Sequence, residues 1–307
     1  MTNSSNTRMD LTLGPLLFNW PSAKIADFYA RIADEAPIDL VCLGEVVCSK
    51  RSPFHATVLA DACERLRRAG KRVALSTLAL ITLRRERHEC AELSKQSDYN
   101  VEINDLTGLA FLEKGRPFHV GPLVNVYNES TMEYLAARGA TNICLPPELS
   151  LAAIGILSRR ASELGVTPEV WGFGRTPLAI SGRCYHARLE GLSKDSCQFV
   201  CERSSDGLDV RTIDDQMFLA VNGVQTLSHT YCNVILDTES LVQSGVRSLR
   251  LSPHSFDMVA VAEAFRARLD NRIDAGEAYA QMAAICGPEP FSNGFLMGSS
   301  GHELVVH

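Results

Sequence analysis

No apolar run in this chain reaches the roughly 18 residues that a membrane helix needs, so no transmembrane segment is expected. The opening stretch "MTNSSNTRMDLTLG" is polar and lacks the apolar core of a secretory signal, so the chain reads as cytoplasmic. Positive charge is in short supply: Lys plus Arg is 30 against 36 for Asp plus Glu, a formal net charge of −6. That balance lacks the field that draws a protein to nucleic acid or to an anionic membrane, and no nucleic-acid partner is expected. A small basic patch, "RCYHAR", is a local exception. No Gly-x-Gly-x-x-Gly follows the first strand and no Gly-x-x-x-x-Gly-Lys-Ser/Thr occurs, which weighs against a doubly wound nucleotide-binding fold. No Gly-x-Ser-x-Gly elbow supports a serine hydrolase, and no Cys-x-x-Cys knuckle marks a zinc site. No Pro/Gly/Ser-rich linker divides the chain, so residues 1–307 read as one domain with an insertion at about 177–205.

What is present is a long alternation of strands and helices. "DLTLGPLLFNW" reads as a strand, with Pro21 opening a helix to about Ala33. "IDLVCLGE", "KRVALSTLA", "YNVEIN", "PFHVGPLVNV", "TNICLP" and "PEVWGFG" read as further strands. Helices are expected over "HATVLADACERLRRAG", from about Thr82 to Ser97, up to Gly115, over "STMEYLAARG" and from Pro147 to Gly165. A β-rich patch, "FLAVNGVQTLS", follows, with Asn222-Gly223 as a type I′ hairpin turn. The helix "SLVQSG", the strand "VRSLRLSP" and helices from Phe256 and Asp274 complete the series. Alternation with short Gly-terminated connections predicts a parallel sheet, and seven or eight repeats predict an α/β fold of the (β/α) TIM-like barrel class.

Ten cysteines in a reducing compartment are core residues, metal ligands or both. Cys42 and Cys144 fall in strands, Cys63 and Cys90 on apolar helix faces, and Cys286 at a helix end, all suited to small buried side chains. The stretch "SGRCYHARLEGLSKDSCQFVCERS" is different, because it gathers Cys184, Cys197 and Cys201 in a polar loop. Cys48, in "GEVVCSKR", follows a strand, on the face where barrel enzymes build their sites. Cys232, in "HTYCNV", is its rival as a fourth ligand. Four thiolates from separated loops bind either Zn²⁺ or an iron–sulfur cluster, and the wide spacing fits a cubane better.

"LGEVVCSKR", "LSTLAL", "LPPELS", "PLAISGRCYHARLEGLSKDSC" and "NGVQTLS" together resemble the UbiV-like ubiquinone-biosynthesis branch of the collagenase-like peptidase superfamily. The resemblance implies a [4Fe–4S] cluster on Cys48, Cys184, Cys197 and Cys201. It also implies a heterodimer with a UbiU-like protein, oxygen-independent hydroxylation with prephenate as oxygen donor, and a lipid-binding accessory protein that presents a prenylated phenol. Relatives carry a further cysteine seven residues before the equivalent of Cys184, where this chain has Pro177. Proline cannot ligate a metal, and this departure is similar to the UbiV-like branch rather than the peptidase-like one.

Around the cysteines, Arg183, Lys50 and Arg51 are either cations beside a cluster or a dicarboxylate, or solvated loop charges. Glu45 is a general acid or base, a helix cap or an arginine partner. His186 reads as a donor to a cluster sulfur or, more commonly for its type, as a surface histidine. Trp20 and Trp171 read as core or as a stacking platform. A peptidase-like hydrolase with a structural metal and a non-catalytic cluster-bearing scaffold remain open alternatives, and no catalytic residue is assigned.

Overall fold

The computed structural model describes residues 8–306; Met1–Thr7, the start of the polar opening stretch, and His307 lie outside the described residues. Eight parallel strands close into a barrel. They are β1 (Asp10–Leu13), β2 (Leu40–Leu43), β3 (Arg72–Ser76), β4 (Asn100–Ile103), β5 (Phe118–Val120), β6 (Ala140–Cys144), β7 (Thr167–Ile180) and β11 (Ser248–Leu251). Each pairs with its neighbour in that order, and β11 pairs with both β1 and β7, which closes the ring. Helices α1 (Ser22–Asp34), α2 (Ser52–Arg68), α3 (Arg84–Ser94), α4 (Glu129–Ala136), α5 (Leu151–Glu163), α7 (Thr238–Gln243), α8 (Met258–Leu269) and α9 (Ala275–Cys286) surround it. This is the TIM-type α/β barrel expected from the alternation.

The helices begin where local chemistry permits. Ser150 caps α5 through its hydroxyl, and Asp274 and Glu277 form a reciprocal capping box on α9. The helix expected to end at Gly115 is only a 3₁₀ turn, Leu106–Ala110, capped by Asp105.

Beyond the barrel, β7 runs on and carries an antiparallel extension. Here β8 (Leu208–Arg211), β9 (Met217–Asn222) and β10 (Gln225–Asn233) pair in turn, and β12 (Phe291–Ser292) adds to β10. Pro177 lies inside β7, opposite Leu227 at an irregularity in the ladder, so the cysteine-bearing segment starts at Ser181 rather than at 177. The hairpin turn is also shifted. Asn222 pairs with Gln225, so the two central residues are Gly223 and Val224, and only Gly223 has positive φ, at 63°. That is the glycine-first pattern of a type II′ turn, not the expected type I′ centred on Asn222-Gly223.

The barrel interior is polar. Strand alternation turns Thr12, Cys42, Ser76, Glu102, Glu169, Ser248 and Arg250 inward, and Arg250 is 1% exposed against 0% for both glutamates. Arg250 reaches Glu102 on the opposite wall and bonds Glu169 at 2.5 Å. Thr12 and Ser248 donate to Glu169 at 2.6 and 3.1 Å, and Ser76 donates to Glu102 at 2.9 Å. Burial pushes the Glu102 carboxyl up, but Arg250 and Ser76 more than reverse this, so it ends below the usual carboxylate value. Cys42 is buried as expected, but its neighbours are Glu102 at 3.5 Å and Arg250 at 3.8 Å, and burial holds its thiol well above the usual value.

At the C-terminal mouth an aromatic cluster surrounds His254, with Phe18 and Tyr231 each 5.0 Å away between centroids. Burial drives the His254 imidazole down to about 4, and Asp206 and the Ser252 carbonyl only partly oppose it. The ring is neutral in the fold, whereas an unfolded histidine protonates near about 6.5. Its contribution to stability is complete above that value and is lost as pH falls toward about 4. Between pH 7 and pH 5 the loss is about 2 kcal/mol. Urea midpoints at the two pH values check this: the wild type should drop further than His254→Gln, and equal drops would refute the assignment.

Candidate functional site

The site is built on the loop after β2. Gly44 ends the strand at φ 146°, where any Cβ would stand 2.3 Å from the Ser76 carbonyl oxygen. Glu45 follows, and its Oε1 accepts the backbone N–H groups of Val47 and Cys48 at 2.8 and 2.9 Å. Of its three expected roles, Glu45 fills the arginine-pairing one, with its carboxylate 3.9 Å from Arg51, whereas α2 (Ser52–Arg68) has no side-chain cap and Glu45 braces the loop before it instead. Burial raises the Glu45 carboxyl, and Arg51 and the two amides oppose that rise.

Arg51 is not a solvated loop charge. Its side chain is 1% exposed. It donates to the Leu17 carbonyl at 2.8 Å and to Asn222 Oδ1 at 3.0 Å, while Asn222 donates to the same carbonyl at 2.7 Å. Gly223 presses on the guanidinium so closely that a Cβ there would lie 2.9 Å from Arg51 Nη2. Three segments far apart in sequence thus meet at one cation.

The cysteine segment lies over this point. Ser181 donates to the Val224 carbonyl at 2.9 Å and His186 to the Gly223 carbonyl at 3.4 Å, which fixes the chain on both sides of Cys184 to the hairpin tip. Cys184 caps the short helix α6 (Tyr185–Leu189), its Sγ accepting from the Ala187 N–H at 3.4 Å. Cys201 is buried in a 3₁₀ turn, Val200–Arg203. Between Cys197 and Cys201, Gln198 and Phe199 both hold positive φ, 49° and 53°, a strained pair for side-chain-bearing residues. Lys50 ties the two cysteine loops together, donating to the Lys194 and Asp195 carbonyls at 2.8 and 3.1 Å. Phe54 adds an edge-on contact with Phe199 at 4.8 Å.

Electrostatics join the four thiols. Burial raises the Cys48 and Cys184 thiols, and the Arg51 charge opposes the rise at both. Arg51 feels Cys48 and Cys201, and Cys184 feels Cys201 and Cys197. Cys48, Cys184 and Cys197 also pack on one apolar cluster with Leu17, Val46, Val47, Trp171 and Val224, which covers the barrel mouth. Trp171 is therefore core, as is Trp20 at 2% exposure. Cys232 is not in a loop: it pairs with Gly174 and Ser292 inside the sheet, and burial pushes its thiol up to about 12.

His186 corrects the surface reading. It is 2% exposed, burial lowers its pKa, and its Nδ1 has no hydrogen-bond partner among the described residues. Arg183 is exposed. Asn222 and Gln225 were not singled out from sequence, because "NGVQ" reads as a turn and nothing more.

The profile of peptidase family U32 matches residues 23–305. The chain belongs to that family. Among solved structures it is similar to a candidate fructose-1,6-biphosphate aldolase from Coccidioides immitis, at 11% identity over 92% of each chain with a TM-score of 0.40. It is also similar to a candidate galactarate dehydratase of the enolase type from Agrobacterium radiobacter, at 13% identity over 54% of this chain and 45% of that one, with a TM-score of 0.35. Neither likeness bears on chemistry.

Whether this U32 site suits a cluster is decided by its donors. Among the described residues no group of three or more His, Cys, Asp or Glu is arranged to hold a metal ion. A cubane spreads its four thiolates more widely than a single ion does. Among the described residues two buried polar atoms beside the thiols lack a hydrogen-bond partner, Arg51 Nε and His186 Nδ1. Orphaned groups of this kind are costly unless something fills the gap, and sulfur atoms of a cluster accept such bonds. The donor set, four thiols with buried N–H groups and one cation, fits a cluster on Cys48, Cys184, Cys197 and Cys201. Among the described residues no helix is long and apolar enough to cross a membrane.

Proposed function

We propose that this U32-family chain is an iron–sulfur protein of the UbiV type, serving oxygen-independent hydroxylation in anaerobic ubiquinone synthesis with a UbiU-like partner. The observation that carries this reading is the neighbourhood of Cys48, Cys184 and Cys201 around buried Arg51, with Cys197 next to Cys184. Four cysteine ligands leave no open iron position, so a [4Fe–4S] centre here supplies electron transfer or structure rather than a substrate-binding metal. The chain's own residues bind it, keep water away through Val46, Val47 and Trp171, and place one cation beside it. Prephenate is the proposed oxygen donor, and a prenylated phenol on a lipid-binding accessory protein is the acceptor. Exposed Tyr185, Leu189 and Phe218, on and beside the cysteine segment, support a partner-covered face.

The family description favours a second reading, a peptidase-like hydrolase with a structural metal. Anaerobic purification with the partner separates the two. The proposal expects a brown protein containing iron and acid-labile sulfide, and argon-phase hydroxylation that depends on added prephenate. A colourless preparation that contains zinc and cleaves peptides would overturn it.

A further inference from the structure

Outside the ligands themselves, the feature of this site that calls for explanation is the burial of a permanent charge. Arginine is rarely buried without a function or an ion partner, since removing its charge from water is costly. The partner here is weak by geometry: Glu45 stands 3.9 Å away and gives its oxygen to two backbone amides. The remaining contacts of Arg51 are neutral groups, the Leu17 carbonyl, Asn222 and the Cys201 thiol. Its backbone N–H donates to the Cys48 carbonyl at 3.0 Å, which fixes it one turn from that ligand. The hairpin tip that clasps the guanidinium is the same tip that receives the His186 N–H beside Cys184. Among the described residues Nε has no hydrogen-bond partner. The fold holds this group still and keeps one donor free.

We propose that Arg51 is a positioning residue whose fixed positive charge and free Nε–H raise the reduction potential of the cluster, a statement that rests on the iron–sulfur reading above. A cluster with four thiolates gains one negative charge when it takes up an electron. A nearby cation stabilises the reduced form more than the oxidised one, and low polarity strengthens the effect. Arginine suits the task because it stays charged at every working pH, and its planar fork can be clamped by two acceptors while a third N–H points elsewhere.

The test is a reductive titration of anaerobically reconstituted protein, with dithionite supplying the single electron and no proton taken up. Visible bleaching and electron paramagnetic resonance report the reduced fraction. Arg51→Met should lower the reduction equilibrium constant at least tenfold, which is about 59 mV for one electron. Arg51→Lys, which keeps the charge, should recover most of that shift. Arg51→Met with full iron and an unchanged or higher midpoint overturns the proposal. If Arg51→Met does not retain iron, Arg51→Gln takes its place, and an unchanged or higher midpoint there overturns the proposal equally. Wild-type protein without iron or sulfide sinks the cluster reading itself, and this inference with it.

Discussion

Cys197→Ala protein, purified without oxygen, should emerge colourless, with iron and acid-labile sulfide near the detection limit, while the parent protein should be brown. Cys197 is the proposed ligand to remove because, on that proposal, its segment depends on what it binds. Gln198 and Phe199 hold adjacent strained conformations that cost on the order of 1–3 kcal/mol each unless the surroundings enforce them. A cluster bonded on either side of that pair is such an enforcement. Loss of one thiolate should therefore empty the site and also loosen residues from Ser193 to Ser204, which faster amide exchange across that stretch will report. Cys63→Ala, on the apolar face of α2, is the matched control and should keep its iron. Full iron in Cys197→Ala would remove Cys197 from the ligand set.

The second large effect belongs to the barrel interior. Replacing Arg250 with methionine leaves Glu102 and Glu169, each 0% exposed, as uncompensated carboxylates. Breaking a buried pair from one side typically costs about 3–5 kcal/mol, and here one residue serves two partners. A chain of this size should lose several degrees to more than ten in its melting temperature. Adding Glu102→Gln and Glu169→Gln to Arg250→Met should restore part of the loss, because the penalty lies in stranded charge rather than in lost attraction. No recovery in the triple variant would mean that packing, not charge, is what Arg250 provides.

The sequence disclosed the barrel because most strands are short, mainly apolar runs and most helices end at a glycine or open at a cap. It pointed to the proposed cysteine set through loop position: Cys48 lies just past a strand end, and three thiols share a polar stretch. The polar interior was hidden. Glu102 and Arg250 stand 148 residues apart, and one inward charge in a four-residue strand looks the same as one at its edge. Burial of Arg51 and His186 was hidden for a related reason, because the groups that cover them, the Leu17 loop and the Asn222 hairpin tip, are supplied by distant segments. The extent of β7 was masked by Pro177, which removes a ladder donor without ending the strand. Cys232 looked loop-borne because its strand neighbours, "SHTYCN", mix polar and apolar residues without clean alternation.

That Arg250 sits on the last strand to enter the ring has a consequence for biogenesis. A nascent chain emerging from the ribosome displays β4 and β7, with their glutamates, long before the residue that neutralises them is synthesised. The first seven staves cannot be sealed against water on their own without trapping two negative charges. The unfinished sheet should stay open and hydrated until β11 is available, so that closure becomes a late, all-or-none event.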